Sequence, residues 1–281
     1  MIRIMVLAGT RDARDIIEKL AGNGIEVLAT VTTSFGRELL ESCRGIRINE
    51  GRLGAAEMAC LIRENGIACI VDASHPFAKE ASMNAILASN ETGALYLRFE
   101  RQNTVVEESG VIRVKTFEEA AEAANGIKGN ILLTTGSNNI NLFAKKVANY
   151  KKRLFARVLS DSRVVVKCEK AGLTPGNIIA MKGPFSEELN IEILKYCQAA
   201  VLVAKESGET GGTYEKLRAA EKLGIPVILV ERPELVYGKK VSTVAGVVDF
   251  VMERIKNDEK ADTHRNQGEQ ACADPEPMGC R

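Results

Sequence analysis

Val71-Asp72-Ala73-Ser74-His75-Pro76-Phe77-Ala78 is the stretch that decides the fold. The apolar run Ala68 to Val71 leads into it and reads as a buried parallel strand, which Asp72 ends. Pro76 suits the first position of a following helix, where its missing N–H would be unpaired anyway. Ser74 and His75 are thus expected at the C-terminal edge of a strand, the edge where open α/β sheets bind ligands. A plainer reading stands beside this one: Ser74 or His75 caps the helix, and Asp72 satisfies loop amides. His75 is one of only two histidines in the chain, and the other, His264, lies in a polar tail.

Outward from this stretch, strands and amphipathic helices alternate. Ile2 to Leu7 reads as a buried strand, Ala8-Gly9-Thr10 as a turn, and Arg11 to Ala21 as a helix with Ile16, Ile17 and Leu20 on one face. A glycine turn running into a helix N-terminus is the geometry that holds a phosphate. Only Gly9 of the usual glycine fingerprint is present, so an ordinary strand-to-helix turn remains the competing reading. Ile25 to Val31 is the second strand, followed by a polar loop, Thr32-Thr33-Ser34-Phe35-Gly36-Arg37. A dinucleotide fold that takes NAD often has an acid here for the ribose 2′-hydroxyl. Three hydroxyls and Arg37 suit a 2′-phosphate instead, and a solvated loop is the alternative. Ile46 to Ile48, Gly54 to Glu64 and Ala94 to Phe99 complete a parallel α/β unit.

Gln102 to Lys115 reads as an extended crossing with a hairpin near Ser109-Gly110, and Thr116 as the cap of a helix. A second α/β unit then repeats the architecture of the first. Ile131 to Leu133 enters the turn Thr134-Thr135-Gly136-Ser137; Arg157 lies near the end of a strand; Ala199 to Ala204 runs into Lys205-Glu206-Ser207-Gly208-Glu209-Thr210-Gly211-Gly212-Thr213. Glycines, hydroxyls and a lysine between strand and helix make an anion cradle, although the ATP-binding P-loop pattern is missing. Val241 to Thr243 is expected as an edge strand and Val244 to Ile255 as the last helix. The expected divisions are 1–101, a crossing over 102–126, 127–256, and a disordered tail over 257–281.

The 281 residues are 45% hydrophobic and 27% charged with net charge +1, an ordinary globular composition whose bulk field favours neither nucleic acid nor membrane. No apolar run reaches a membrane span, and the expected compartment is the cytoplasm. Scattered cysteines without a C-x-x-C pair, and two histidines, argue against a zinc site.

In motif content the sequence resembles the precorrin-6A reductases of cobalamin biosynthesis, including the cobalt-precorrin-6A reductases. The resemblance rests on Leu7-Ala8-Gly9-Thr10-Arg11-Asp12, Thr32-Thr33-Ser34-Phe35-Gly36, Asp72 to Ala78, Leu133-Thr134-Thr135-Gly136-Ser137, Gly183-Pro184-Phe185-Ser186, Lys205-Glu206-Ser207-Gly208 and Arg232-Pro233, in family order over residues 1 to 255. Ala8 and Asp12 stand where the family usually has glycine and glutamate.

The resemblance implies two Rossmann-like domains of mainly parallel sheets, with NADPH, or NADH in some members, in a cleft between them. It also implies reduction of one C=C bond of a polycarboxylate tetrapyrrole. Gly9, Thr10 and Arg11 are then expected at the pyrophosphate or ribose, and Thr33, Ser34 and Arg37 at the adenosine end. Asp72, Ser74 and His75 are expected near the nicotinamide, with His75 as candidate proton donor. From the second unit, Thr135, Gly136, Ser137, Lys205, Ser207 and Gly208 would close on the cofactor. Arg14, Arg98, Arg101, Arg157 and Lys205 would meet substrate carboxylates. A tetrapyrrole methyltransferase using S-adenosylmethionine and a non-catalytic nucleotide sensor are the rival readings.

Overall fold

The computed structural model describes residues 3–101, 110–208 and 211–254. Of these, the residues up to Arg101 and those from Val236 onward form one compact unit, and those between, through Leu235, form the other.

The first unit holds β1 (Arg3–Leu7), α1 (Arg11–Gly22), β2 (Glu26–Val31), α2 (Ser34–Leu40), β3 (Ile46–Glu50), α3 (Ala55–Asn65), β4 (Ile67–Asp72), α4 (Lys79–Thr92) and β5 (Leu95–Phe99). The second holds β6 (Val111–Val114), α5 (Phe117–Gly126), β7 (Asn130–Leu133), α6 (Ile140–Lys146), α7 (Tyr150–Arg153), β8 (Leu154–Val158), α8 (Ser162–Lys170), β9 (Ile178–Ala180), α9 (Glu187–Tyr196), β10 (Ala199–Lys205), α10 (Thr213–Lys222) and β11 (Val227–Val230). The chain then returns to the first unit with β12 (Lys240–Val241) and a helix over 244–254.

Each unit is built on a six-stranded sheet, ordered β12-β5-β4-β1-β2-β3 in the first and β6-β11-β10-β7-β8-β9 in the second. The pairings are parallel, as the two-sided aliphatic strands require. In the first unit one face packs Ile4, Val6, Val27 and Val71 against Ile16, Ile17 and Leu20 of α1 and Val247 and Val251 of the last helix. The other face packs Met5, Leu7 and Ile70 against Met58 and Ile62 of α3 and Ala85 and Ala88 of α4. The expected α/β class with two Rossmann-like parallel sheets is what the structure has.

The order reverses beside β1 in the first sheet and beside β7 in the second. The crevices used by ligands in such sheets therefore lie between the β1 and β4 loops, and between the β7 and β10 loops.

Four expectations need correction. Residues 102–126 are not merely a crossing, because Val111–Val114 pairs in register with Val227–Val230 as the edge of the second sheet. Residues 236–254 belong with the first unit, since Lys240 and Val241 pair with Arg98 and Phe99. The polar stretch after β2 is helical from Ser34, because the Thr33 hydroxyl accepts from the Gly36 N–H and nucleates the turn. Pro76 does not open α4: the Ala78 N–H donates to the His75 carbonyl at 2.7 Å, and the helix starts at Lys79. Pro76 sits second in that turn, where its fixed φ is an advantage. Most of the expected hairpin near Ser109, the Glu209-Thr210 pair and the tail lie outside the described residues.

Candidate functional site

At the first crevice, Gly9 holds φ +129, a conformation open to glycine, and a Cβ there would meet nothing within 4 Å. Thr10 ties the crevice together. Its hydroxyl accepts from the Ala13 N–H at 3.0 Å, capping α1, and donates to the Ala73 carbonyl at 2.9 Å across the switch point. Arg11 is exposed at the first turn of α1. Thr33 caps α2, Ser34 is exposed beside it, and Arg37 lies 4.0 Å from Glu50 at the end of β3.

Behind the Ser74–Ala78 loop lies a buried charge network. Asp72 and Arg98 are adjacent in the β4–β5 register, and both side chains are wholly buried. Arg98 Nη1 lies 2.9 Å from Asp72 Oδ1 and also donates to Ser74 Oγ at 3.3 Å. The Ser74 N–H donates to Asp72 Oδ1 at 3.0 Å, and the Tyr96 hydroxyl to Asp72 Oδ2 at 2.6 Å. Burial, then the Asp72 charge, pushes the Tyr96 hydroxyl pKa upward, so it stays a donor. Arg98 also stacks 4.9 Å from the centre of the Tyr237 ring, on the segment returning to β12.

His75 is half-buried in front of this network. Its Nδ1 accepts from the Phe77 N–H at 3.2 Å. That bond needs a bare Nδ1, so the neutral ring carries its proton on Nε2.

These contacts revise several assignments. Asp72 and Arg98, expected to touch ligand, are sealed from solvent and hold each other and the loop. Arg101 pairs with the buried Asp12 at 2.5 Å. Arg14 is held on the outer face of α1 by Glu18 at 3.0 Å and Ser42 at 3.1 Å. Thr10, Ser74 and His75 are the expected residues that the structure brings together at this crevice.

At the second crevice, the Thr134 N–H and hydroxyl both donate to the Val203 carbonyl at 2.9 Å, joining the ends of β7 and β10. Thr135 follows, buried, and its hydroxyl has no hydrogen-bond partner among the described residues. Gly136 takes φ 80 and ψ −178, a conformation nearly confined to glycine, before the turn Ser137–Asn139. Lys205 ends β10, and burial lowers its pKa. Ser207 folds the next loop: its N–H donates to Thr213 Oγ1 at 3.1 Å and its hydroxyl lies 3.3 Å from the Gly211 carbonyl. Gly208 packs so closely on Arg232 that a Cβ would come within 2.9 Å of Nη2.

Arg157 is buried, donates to Asn190 Oδ1 at 2.7 Å, and stacks 4.1 Å from the centre of the Phe185 ring. Burial lowers its pKa to about 10. Lys216 of α10, which sequence reasoning missed, is also buried and donates to the Gly211 carbonyl at 2.8 Å. Burial, then the charges of Arg157 and Lys205, brings its pKa down to about 7. A lysine one turn into a helix after a glycine loop gives no sequence signal of burial. Asn190 and Tyr96 were missed for a different reason: the charged groups they hold, Arg157 and Asp72, are distant in sequence.

A sequence model of the family described as "Precorrin-6x reductase CbiJ/CobK" matches residues 3–252. The chain is 40% identical over 255 residues to a cobalt-precorrin-6A reductase of Priestia megaterium, covering 90% of this chain and 100% of the relative. It is 41% identical over 234 residues to a cobalt-precorrin-6A reductase of Methanothermobacter thermautotrophicus, covering 83% and 77% of the two chains. Among solved structures, a CobK precorrin-6A reductase matches with a TM-score of 0.72 at 24% identity, covering 90% of this chain and 97% of the other. That likeness bears on the fold.

Proposed function

This chain belongs to the precorrin-6x reductase family CbiJ/CobK, and from that premise we propose that it reduces one C=C bond of precorrin-6A or cobalt-precorrin-6A in cobalamin biosynthesis, with NADPH as its reductant and NADH as the substitute. The observation that carries the reading is where the motif loops lie. Ala8 to Thr10 and Ala73 to Ala78 flank one topological switch point, and Thr134 to Ser137 and Glu206 to Gly208 flank the other. The methyltransferase and sensor readings draw no support from the family match.

The residues present fit a nicotinamide dinucleotide. Gly9 leaves the approach to the α1 N-terminus clear, and the second crevice holds a buried, unpartnered hydroxyl on Thr135. When bound, the reduced nicotinamide supplies a hydride to the electron-poor macrocycle. The protein's own part is positioning and proton supply. Thr10 locks the α1 N-terminus to the β4 loop. Thr33, Ser34 and Arg37 offer hydroxyls and a cation to a 2′-phosphate. Asp72, held by Arg98 and Tyr96, fixes the Ser74 N–H and so the loop bearing His75. His75, once protonated on both ring nitrogens and released from the Phe77 N–H, delivers its Nε2 proton to the carbon beside the one that takes the hydride and returns to the neutral ring. The two electrons and one proton of the hydride, with this second proton, convert C=C to CH–CH.

The test is to mix the purified chain with NADPH or NADH and follow nicotinamide absorbance, with and without precorrin-6A or its cobalt form. Loss of absorbance only with a macrocycle present is the expected result. No oxidation with either nucleotide and either substrate would overturn the reading.

A further inference from the structure

The cation expected at the adenosine end has an acid beside it. Arg37 Nη1 lies 4.0 Å from Glu50 Oε2, and both side chains are partly open to solvent. No other acid pairs with Arg37 among the described residues. The backbone brings the two together. Arg37 closes the first turn of α2, its N–H donating to the Thr33 carbonyl at 3.1 Å. Glu50 is the last residue of β3 and stands in register with Val31, the last residue of β2. The Gly51 N–H donates to the Val31 carbonyl at 2.8 Å and holds the two strand ends level. A dinucleotide sheet that takes NAD places its ribose acid after the second strand, where this chain has Thr32 and Thr33. Here the acid stands one strand further out, at the same edge of the sheet.

We propose that Glu50 is a specificity-determining residue for the nicotinamide cofactor: its carboxylate accepts from the ribose 2′-hydroxyl of NAD(H) and, through its hold on Arg37, opposes the 2′-phosphate of NADP(H). The inference rests on the reductase reading, which puts the adenosine end at Thr33, Ser34 and Arg37, and it adds a reason for the same site to serve either nucleotide. A 2′-phosphate reaching Arg37 must share the guanidinium with Glu50 and meets a like charge at close range. A 2′-hydroxyl meets an acceptor there, and Arg37 orients the carboxylate that receives it. Both effects act in partly solvated surroundings, so together they move the preference between the nucleotides by about tenfold.

The experiment is titration calorimetry of NADP+ and NAD+ on the full chain, wild type against Glu50→Gln. The substitution keeps the length and shape of the side chain and removes its charge. It should tighten NADP+ and weaken NAD+, so that the ratio of the two dissociation constants shifts by about tenfold toward NADP+. Adenosine 2′,5′-bisphosphate and 5′-AMP, titrated in the same way, should follow NADP+ and NAD+ respectively, which assigns the effect to the ribose and not to the nicotinamide. A variant damaged in its fold would weaken every probe, so movement of the two dinucleotides in opposite directions is a readout that a structural role does not produce. A ratio that shifts by less than about threefold, or toward NAD+, overturns the role of Glu50 and leaves the reductase reading intact. Failure of the wild-type chain to bind either dinucleotide overturns that reading, and the role of Glu50 with it.

Discussion

Removing Asp72 alone should damage the first unit more than removing Asp72 and Arg98 together. The pair is fully buried at 2.9 Å. At an effective dielectric of about 20, that separation gives an attraction of about 6 kcal/mol, which desolvation of the two ions offsets in large part. In Asp72→Ala the Arg98 guanidinium keeps Ser74 Oγ at 3.3 Å, the backbone carbonyl at 3.5 Å, Glu100 at 4.0 Å and the Tyr237 ring. None replaces a direct carboxylate. The Tyr96 hydroxyl and the Ser74 N–H also lose their acceptor. The expected cost is about 3–5 kcal/mol. In Asp72→Ala/Arg98→Met no charge is stranded, and most of that loss should return, to within about 2 kcal/mol of the wild type. Native-state hydrogen exchange at the β1 and β4 amides reads the opening free energy of this unit separately from the other. A cost below about 1 kcal/mol for Asp72→Ala, or a double variant less stable than the single, would refute the account of Asp72 as the counter-ion that makes Arg98 tolerable.

Other perturbations probe the site more directly. His75→Asn retains an acceptor for the Phe77 N–H and so the loop, but removes the Nε2 proton; kcat should fall by about 10²-fold or more while NADPH affinity holds, and full activity would exclude His75 as the donor. Arg37→Ala should raise the KM for NADPH by about tenfold and leave that for NADH unchanged; equal effects on both would remove the 2′-phosphate from Arg37. Gly136→Ala must put a Cβ at φ 80, ψ −178, and should cost about 1–3 kcal/mol in the second unit, measured by hydrogen exchange at β7. Lys216 titrates near 7 folded and 10.5 unfolded, so between those values the unfolded chain binds the extra proton and stability rises with pH. Relative to Lys216→Met, the ligand-free wild type should gain stability from about pH 7 to about pH 10, and a flat difference would contradict the burial of that amine.

Element order was legible because aliphatic strands and amphipathic helices alternate with glycine turns throughout. The partner of an edge strand was not. Lys240 and Val241 carry no periodic signal in two residues, yet their parallel pairing with Arg98 and Phe99 decides which unit owns the last helix. Val111–Val114 reads as extended in the sequence, but only the register with β11 shows that it closes the second sheet. The Thr33 hydroxyl shows the limit of composition as a guide. A run of hydroxyls reads as a loop, and one of them capping a glycine N–H turns the next seven residues into a helix. The site was legible as loops and less so as side chains. Thr10, Ser74, Thr135 and Ser207 were found because they sit in turns at strand ends. Lys216 and Tyr96 act from inside regular elements, where their neighbours come from other strands.

The two buried arginines show what separates a structural charge from a functional one. Arg98 in Leu95–Phe99 and Arg157 in Leu154–Val158 occupy the same place, the fourth residue of a five-residue strand otherwise apolar in character. From the sequence both looked like strand-end cations free to meet a carboxylate. Their partners distinguish them. The β4–β5 register sets Asp72 directly beside Arg98, so that charge is neutralised within the fold and its work is to hold a loop. The residue beside Arg157 in the next strand is Ile179, and the group that reaches it from α9 is the uncharged Asn190. An amide satisfies a hydrogen bond and leaves the charge in place. Among the described residues no acid pairs with Arg157, and an amide and a ring face are what hold its buried charge.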